Sequence, residues 1–287
     1  MSEYQCYEFV ALDRPLTAKE MAELRAISTR AQISPTRFWN EYQWGDLKAD
    51  PSRLLARYFD AHLYFANWGT RRLMLRVPRA HLEEKTLRPF FQGRGSARLM
   101  RSGKHVVLDF TCHTEEAEDE EASQGSLAAL LPLRAELMRG DLRCAYLAWL
   151  RMVQEGDVDE STTEPPVPPG LTTLTTAQHA LVEFLGIDID LLLAAARASA
   201  RPASDANAFR HWVTRLSPAR KEAWLLHAAR EPEFPLGSVL LRAFRAEQSP
   251  AKEKHRTVGE LKALARTPRP QRVPSTRPRS SRASVKR

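Results

Sequence analysis

AHLYFANWGTRRLMLRVP, residues 61–78, decides how this chain folds. In its second half Leu73, Leu75 and Val77 recur at period two, so they share one face of a strand, while its first half has a strand's aromatic and aliphatic content. Gly69-Thr70 supplies a turn between the halves, and two strands so joined run antiparallel.

The same grammar extends outward. SARLMRSGKHVVLDFTC, residues 96–112, reads as a second hairpin around Ser102-Gly103, with Val106, Leu108 and Phe110 on one side of its second arm and Val107 and Asp109 on the other. Upstream, YQCYEFVAL at 4–12 is a strand stopped by Asp13-Arg14-Pro15. Thr17 and Glu20 then form a capping-box pattern ahead of Met21, Leu24 and Ile27 at helical spacing. An extended segment over 36–44 follows, and Asp50 as N-cap with Pro51 at the first helical position opens a short helix through Arg57. The order β-α-β-α-β-β-α-β-β, with such short connections, predicts an α+β unit over 1–114: a mostly antiparallel sheet with flanking helices packed on one face.

EEAEDEEASQG, within 115–125, is an acidic linker, and from Ser126 the period becomes helical. A helical hairpin is expected over 126–156, turning at Gly140-Asp141, then a proline-rich connector over 157–170 and a helical unit over 171–266. Gly186 breaks two helices there, Asp188 or Asp190 caps the second, and Phe209, Trp212, Trp224, Leu225, Leu240 and Phe244 are assigned to its core. Residues 267–287 lack acidic and large apolar groups and are expected to be a disordered basic tail.

The formal net charge of +8 resides in that end of the chain. Lys262, Arg266, Arg269, Arg272, Arg277, Arg279, Arg282, Lys286 and Arg287 are nine cations with no acidic neighbour, which leaves the remainder at −1. These nine form an electrostatic tether, with nonspecific nucleic acid as one polyanion it would hold. Cys6, Cys112 and Cys144 are odd in number and far apart, which gives neither a disulfide framework nor a zinc knuckle. The first residues lack the pattern of a signal peptide, no run approaches the roughly 20 apolar residues of a membrane span, and a cytoplasmic location is expected.

No nucleotide-loop, zincin or hydrolase motif occurs, and no cofactor or metal is expected. Gly93-Arg94-Gly95-Ser96 is a loop whose N–H groups have the means to cradle an anion. Trp39, Tyr42, Trp44, Tyr64 and Trp68 supply large rigid contacts, and Arg71, Arg72 and Arg76 supply guanidinium groups suited to bidentate pairing, so these eight residues make up the expected binding surface. Asp60, His62 and Asp109, with His113 and Cys112, are the residues a dispersed catalytic or metal site would recruit. The leading expectation is a non-enzymatic protein-interaction or scaffold module with an electrostatic tether. The alternatives are a nucleic-acid-binding accessory protein and an enzyme using the Asp/His set.

Overall fold

The hairpin at 61–78 lies in the middle of the sheet. The computed structural model describes residues 3–114, 126–201, 206–231, 234–248 and 256–267. Its strands are β1 (Gln5–Val10), β2 (Gln32–Ser34), β3 (Arg37–Tyr42), β4 (Ala61–Ala66), β5 (Thr70–Pro78), β6 (Ala97–Ser102) and β7 (His105–His113). They form one seven-stranded sheet in the order β2-β3-β1-β4-β5-β7-β6, with every neighbouring pair antiparallel. Gly69 closes the β4–β5 turn at φ +87, where a side chain is disfavoured and a Cβ would also strike the carbonyl oxygen of Thr114. The extended segment at 36–44 proves to be the second arm of a hairpin, since Gln32–Ser34 pairs with Arg37–Trp39 across Pro35-Thr36. Three residues are too few to show an alternating pattern, which is why β2 is invisible by periodicity.

Period two sorts the sheet into two faces. On the first, Leu63, Phe65, Leu73, Leu75, Leu108 and Phe110 are buried together. They pack against α4 (Ser126–Leu130), α5 (Pro132–Met138), α6 (Arg143–Glu155) and α7 (Thr176–Leu185), with α8 (Ile189–Ala196) behind. Sheet residues such as Phe110 and helix residues such as Trp149 and Leu181 therefore belong to one core. On the second face, Phe9, Phe38, Met74 and Val107 are covered by Leu24 of α1 (Ala18–Ile27) and by Leu54 and Leu55 of α2 (Pro51–Tyr58). Helices thus flank both faces, not one, because the strands bury apolar groups on both sides and neither row can be left wet.

The caps follow the sequence closely. Thr17 and Glu20 close a capping box on α1, Asp50 accepts from the Ser52 amide at the start of α2, and Asp188 caps α8 through the Asp190 amide. Gly186 ends α7 in the left-handed region. The short α3 (Glu84–Leu87) and a 3₁₀ turn at Arg88–Phe90 connect β5 to β6.

Further along, α9 (Ala206–Arg215), α10 (Pro218–Arg230) and α11 (Leu236–Gln248) gather a small separate cluster around Trp212, Leu216 and Phe244, with Phe209, Trp224 and Leu240 against it. Leu225, assigned to this core from its spacing, is instead 61% exposed, because α10 packs on the apolar cluster through Trp224, on a different side of the helix. Finally α12 (Val258–Arg266) returns to the main core through Val258 and Leu261 and packs on α8. Arg256 fastens it: its guanidinium grips the buried Glu164 carboxylate, which Tyr146 also reaches, and donates to the Ala194 and Ala195 carbonyls at 3.1 and 3.2 Å. The acidic linker at 115–125 and the tail cations from Arg269 onward lie outside the described residues, whereas Lys262 and Arg266 belong to α12.

Candidate recognition surface

Of the residues that a catalytic reading would recruit, Asp60, Asp109, His62 and Cys112 are held by internal partners, and His113 stands exposed. Asp60 accepts from the amides of Leu12 and Asp13 at 2.7 and 2.9 Å and from Arg76 at 2.7 Å, with Arg134 of α5 at 3.8 Å. Burial alone would raise its carboxyl, but the two amides and the guanidinium outweigh that and hold it below the usual aspartate value. Asp109 takes Arg72 in a fork of 2.7 and 2.8 Å. His62 is fully buried, stacked 4.0 Å from Phe9, with Nδ1 3.0 Å from the Glu8 carbonyl oxygen and Nε2 without a hydrogen bond. Burial drives its pKa down to about 3, so it is neutral throughout the physiological range.

Cys112 lies on the opposite face of the sheet, its thiol toward the Leu185 carbonyl at 3.5 Å and made less acidic by burial. His113 stands exposed at the end of β7, beside the Thr70 hydroxyl at 3.1 Å. Asp60, His62 and Asp109 do share one face, as the two-residue periodicity requires, but each answers to different partners. Among the described residues no three His, Cys, Asp or Glu side chains are grouped to hold a metal ion.

The eight expected binding residues are divided by the same periodicity. Arg71 shares the helix-covered face with Leu73 and reaches the Phe184 carbonyl at 3.2 Å, whereas Arg72 and Arg76 project from the opposite face. Arg72 and Arg76 are there neutralised by Asp109 and Asp60. The three arginines do not form one patch. Trp39 is half-buried opposite Glu8 in register, on the face away from Phe38, and Trp68 sits in the β4–β5 turn, 46% exposed.

Tyr42 and Tyr64 are the members that do come together, and Trp44 follows Tyr42 by two residues in the loop after β3. α1 and α2 cover only part of the second face, and the strand ends beyond them carry a tyrosine cluster. Tyr7 lies 4.8 Å from Tyr64 and 5.9 Å edge-on from Tyr42, ring centroid to ring centroid. Gln5 Oε1 accepts from the Tyr64 hydroxyl at 2.8 Å, and Asp46 accepts from Tyr7 at 2.5 Å. Burial and the Asp46 carboxylate push the Tyr64 hydroxyl up to about 12 and raise that of Tyr7 as well, so both remain protonated donors. The loop after β3 is tied down by Gln5 donating to the Gly45 carbonyl at 2.8 Å and by buried Leu47, yet Trp44 stands 83% exposed on it.

No family model, curated protein or solved structure matches the chain. The surface is therefore read from its own groups.

Across β5, the uncovered face continues from Tyr64 to Arg72, its register neighbour, and on to Thr111 and an open cleft of about 550 Å3 at the ends of β6 and β7. Gly95 and Ser96 form one rim. This glycine loop does hold an anion, the protein's own: Asp157 accepts from the Ser96 amide and hydroxyl at 2.8 and 2.7 Å. A Cβ on Gly95, whose φ is +137, would lie 2.5 Å from the Asp157 carboxylate. Sequence reasoning missed Tyr7 and Asp157 as parts of this region. The alternation of Cys6-Tyr7-Glu8 could have placed Tyr7 beside Tyr64 once β1 and β4 were paired, but nothing local announces that pairing.

Proposed function

We propose that the protein is a non-enzymatic protein-interaction module acting in the cytoplasm, with the Tyr42, Tyr64 and Trp44 surface as its recognition patch and the helical layer as its scaffold. The observation that carries this reading is the 83% exposure of Trp44 on a loop anchored at Gly45, two residues beyond the half-buried Tyr42. Large aromatic side chains of that kind dominate binding energy at protein interfaces, because they bury much area at little entropic cost. The pairing of Asp60 and Asp109 with internal donors and the complete burial of His62 support the same reading, since a general base must be within reach of substrate. Among the described residues no helix is long and apolar enough to cross a membrane.

The basic tail serves as an electrostatic tether, and nucleic acid is the competing partner it would select. Native lysate, with and without nuclease treatment, passed over the full chain, over Trp44→Ala and over a chain ending at Thr267, separates these readings. Retention of one protein by the full and shortened chains, and its loss from Trp44→Ala, is the expected result. Recovery of nucleic acid alone, and only with the tail present, would overturn it. The shortened chain keeps α12 because Val258 and Leu261 are buried in the main core.

A further inference from the structure

The cleft at the ends of β6 and β7 is lined by groups of both charge signs, and its two walls differ. Two pairs cancel internally: Arg72 with Asp109, and Arg151 with Glu155 at 2.6 Å. Arg151 is also spent on the Gly186 and His113 carbonyls, each at 3.2 Å. What remains on the sheet wall is a set of donors. Arg98 is exposed and forms no ion pair with any described residue, the Thr111 hydroxyl lies on the neighbouring strand, and His113 Nε2 is left over, a donor in the tautomer whose Nδ1 accepts from the Thr70 hydroxyl.

The opposite wall is the end of α6 and the residue after its Gly156 cap, and it offers acceptors. Asp157 uses Oδ2 for both bonds from Ser96, which leaves Oδ1 without a hydrogen bond to any described residue. Glu155 is exposed and pairs with Arg151 through one oxygen, leaving the other. The α6 carbonyl end adds negative potential to this wall. An anion would satisfy only the sheet wall and a cation only the helix wall, whereas a molecule with a carboxylate at one end and an ammonium at the other satisfies both. The volume of about 550 Å3 lies in the range of small-ligand sites.

We propose that this cleft binds a zwitterionic ligand of the amino-acid or short-peptide class, its carboxylate held by Arg98, Thr111 and His113 and its ammonium by Asp157 and Glu155. Such a site is distinct from the Trp44 patch and would operate whether or not that patch engages a protein.

The test is a titration of the isotope-labelled full chain with L-alanine and alanyl-alanine, followed through backbone amide resonances, with N-acetyl-alanyl-alanine and alanyl-alanine amide as blocked probes. Saturable shifts at Arg98, Thr111 and Asp157 with at least one free probe, weakened about tenfold or more by either block, are expected. Arg98→Gln, an exposed change, should erase the penalty for amidation while keeping the penalty for acetylation, and Asp157→Asn the reverse. The proposal is overturned by an absence of saturable shifts up to about 10 mM, by equal binding of free and blocked probes, or by shifts centred elsewhere. The blocked probes act on the unaltered chain, so the outcome does not depend on any substitution folding.

Discussion

The two faces of the sheet are built from the same strands and held by different means. The face under α4–α8 is hydrocarbon throughout its centre, with Leu63, Leu73, Leu108 and Phe110 each at most 1% exposed. The face under α1 and α2 mixes Phe9 and Met74 with His62, Asp60, Asp109 and Arg72; its charged members pair with one another, and His62 bonds the Glu8 carbonyl through Nδ1 alone. The hydrocarbon centre of the face under α4–α8 is covered because any gap would leave apolar area in water, whereas its β3 edge carries Arg37 and Glu41 exposed and Trp39 half-buried. A mixed face tolerates an open end, and the tyrosine cluster, Trp44 and the cleft all lie at that end. The buried charges that attract attention in the sequence are thus the cement of the half-covered face, and the surface left for binding is what that cement does not consume.

This contrast can be broken in order of size. Phe110→Ala removes a fully buried ring from the hydrocarbon face and should cost about 3–5 kcal/mol in urea unfolding. A loss under 1 kcal/mol there would mean that the helical layer does not depend on the sheet. Asp60→Ala strands Arg76, and leaves the Leu12 and Asp13 amides without their acceptor, for a loss of about 3 kcal/mol. An unchanged unfolding midpoint would make Asp60 a spare group and reopen it as a candidate for chemistry.

His62 sharpens the comparison through pH. Its folded pKa is about 3, whereas an unfolded histidine titrates near 6.5. As pH falls below 6.5 the unfolded chain takes up a proton that the folded protein refuses, so stability declines until about pH 3. His62→Phe should lie within about 1.5 kcal/mol of the parent at pH 7, a swap of similar volume, and lose less stability between pH 7 and pH 5. Parallel stability curves for the two proteins over that interval would show that the ring does not stay neutral in the fold. At the small end, Trp44→Ala should shift stability by no more than about 0.5 kcal/mol, since the ring is 83% exposed, while abolishing partner capture. A large loss of stability would assign Trp44 to the core of the loop.

Much of the fold was legible in the chain. The hairpin at 61–78, the caps at Thr17, Asp50 and Asp188, and the break at Gly186 are local matters, settled by spacing and by which side chain can reach a free amide. The pairing of β1 between β3 and β4 was not legible, because strands separated by two helices choose neighbours by the fit of whole faces. The candidate surface depends on that pairing: Tyr7 meets Tyr64 and Tyr42 only because β1 lies between their strands. Treating Arg71, Arg72 and Arg76 as one patch failed for a simpler reason, since adjacent strand residues face opposite ways.

By itself the sequence determined the element types, an antiparallel sheet followed by helices, and the confinement of the net positive charge to the last 26 residues, because each is set by composition and short-range periodicity. Only the tertiary structure decided which buried charges neutralise one another, which half of the second face stays uncovered, and that Asp157 fills the glycine loop at Ser96, 61 residues before it in the chain. Those outcomes depend on contacts between segments far apart in sequence, where a carboxylate's role is fixed by which donor the packed backbone brings within about 3 Å.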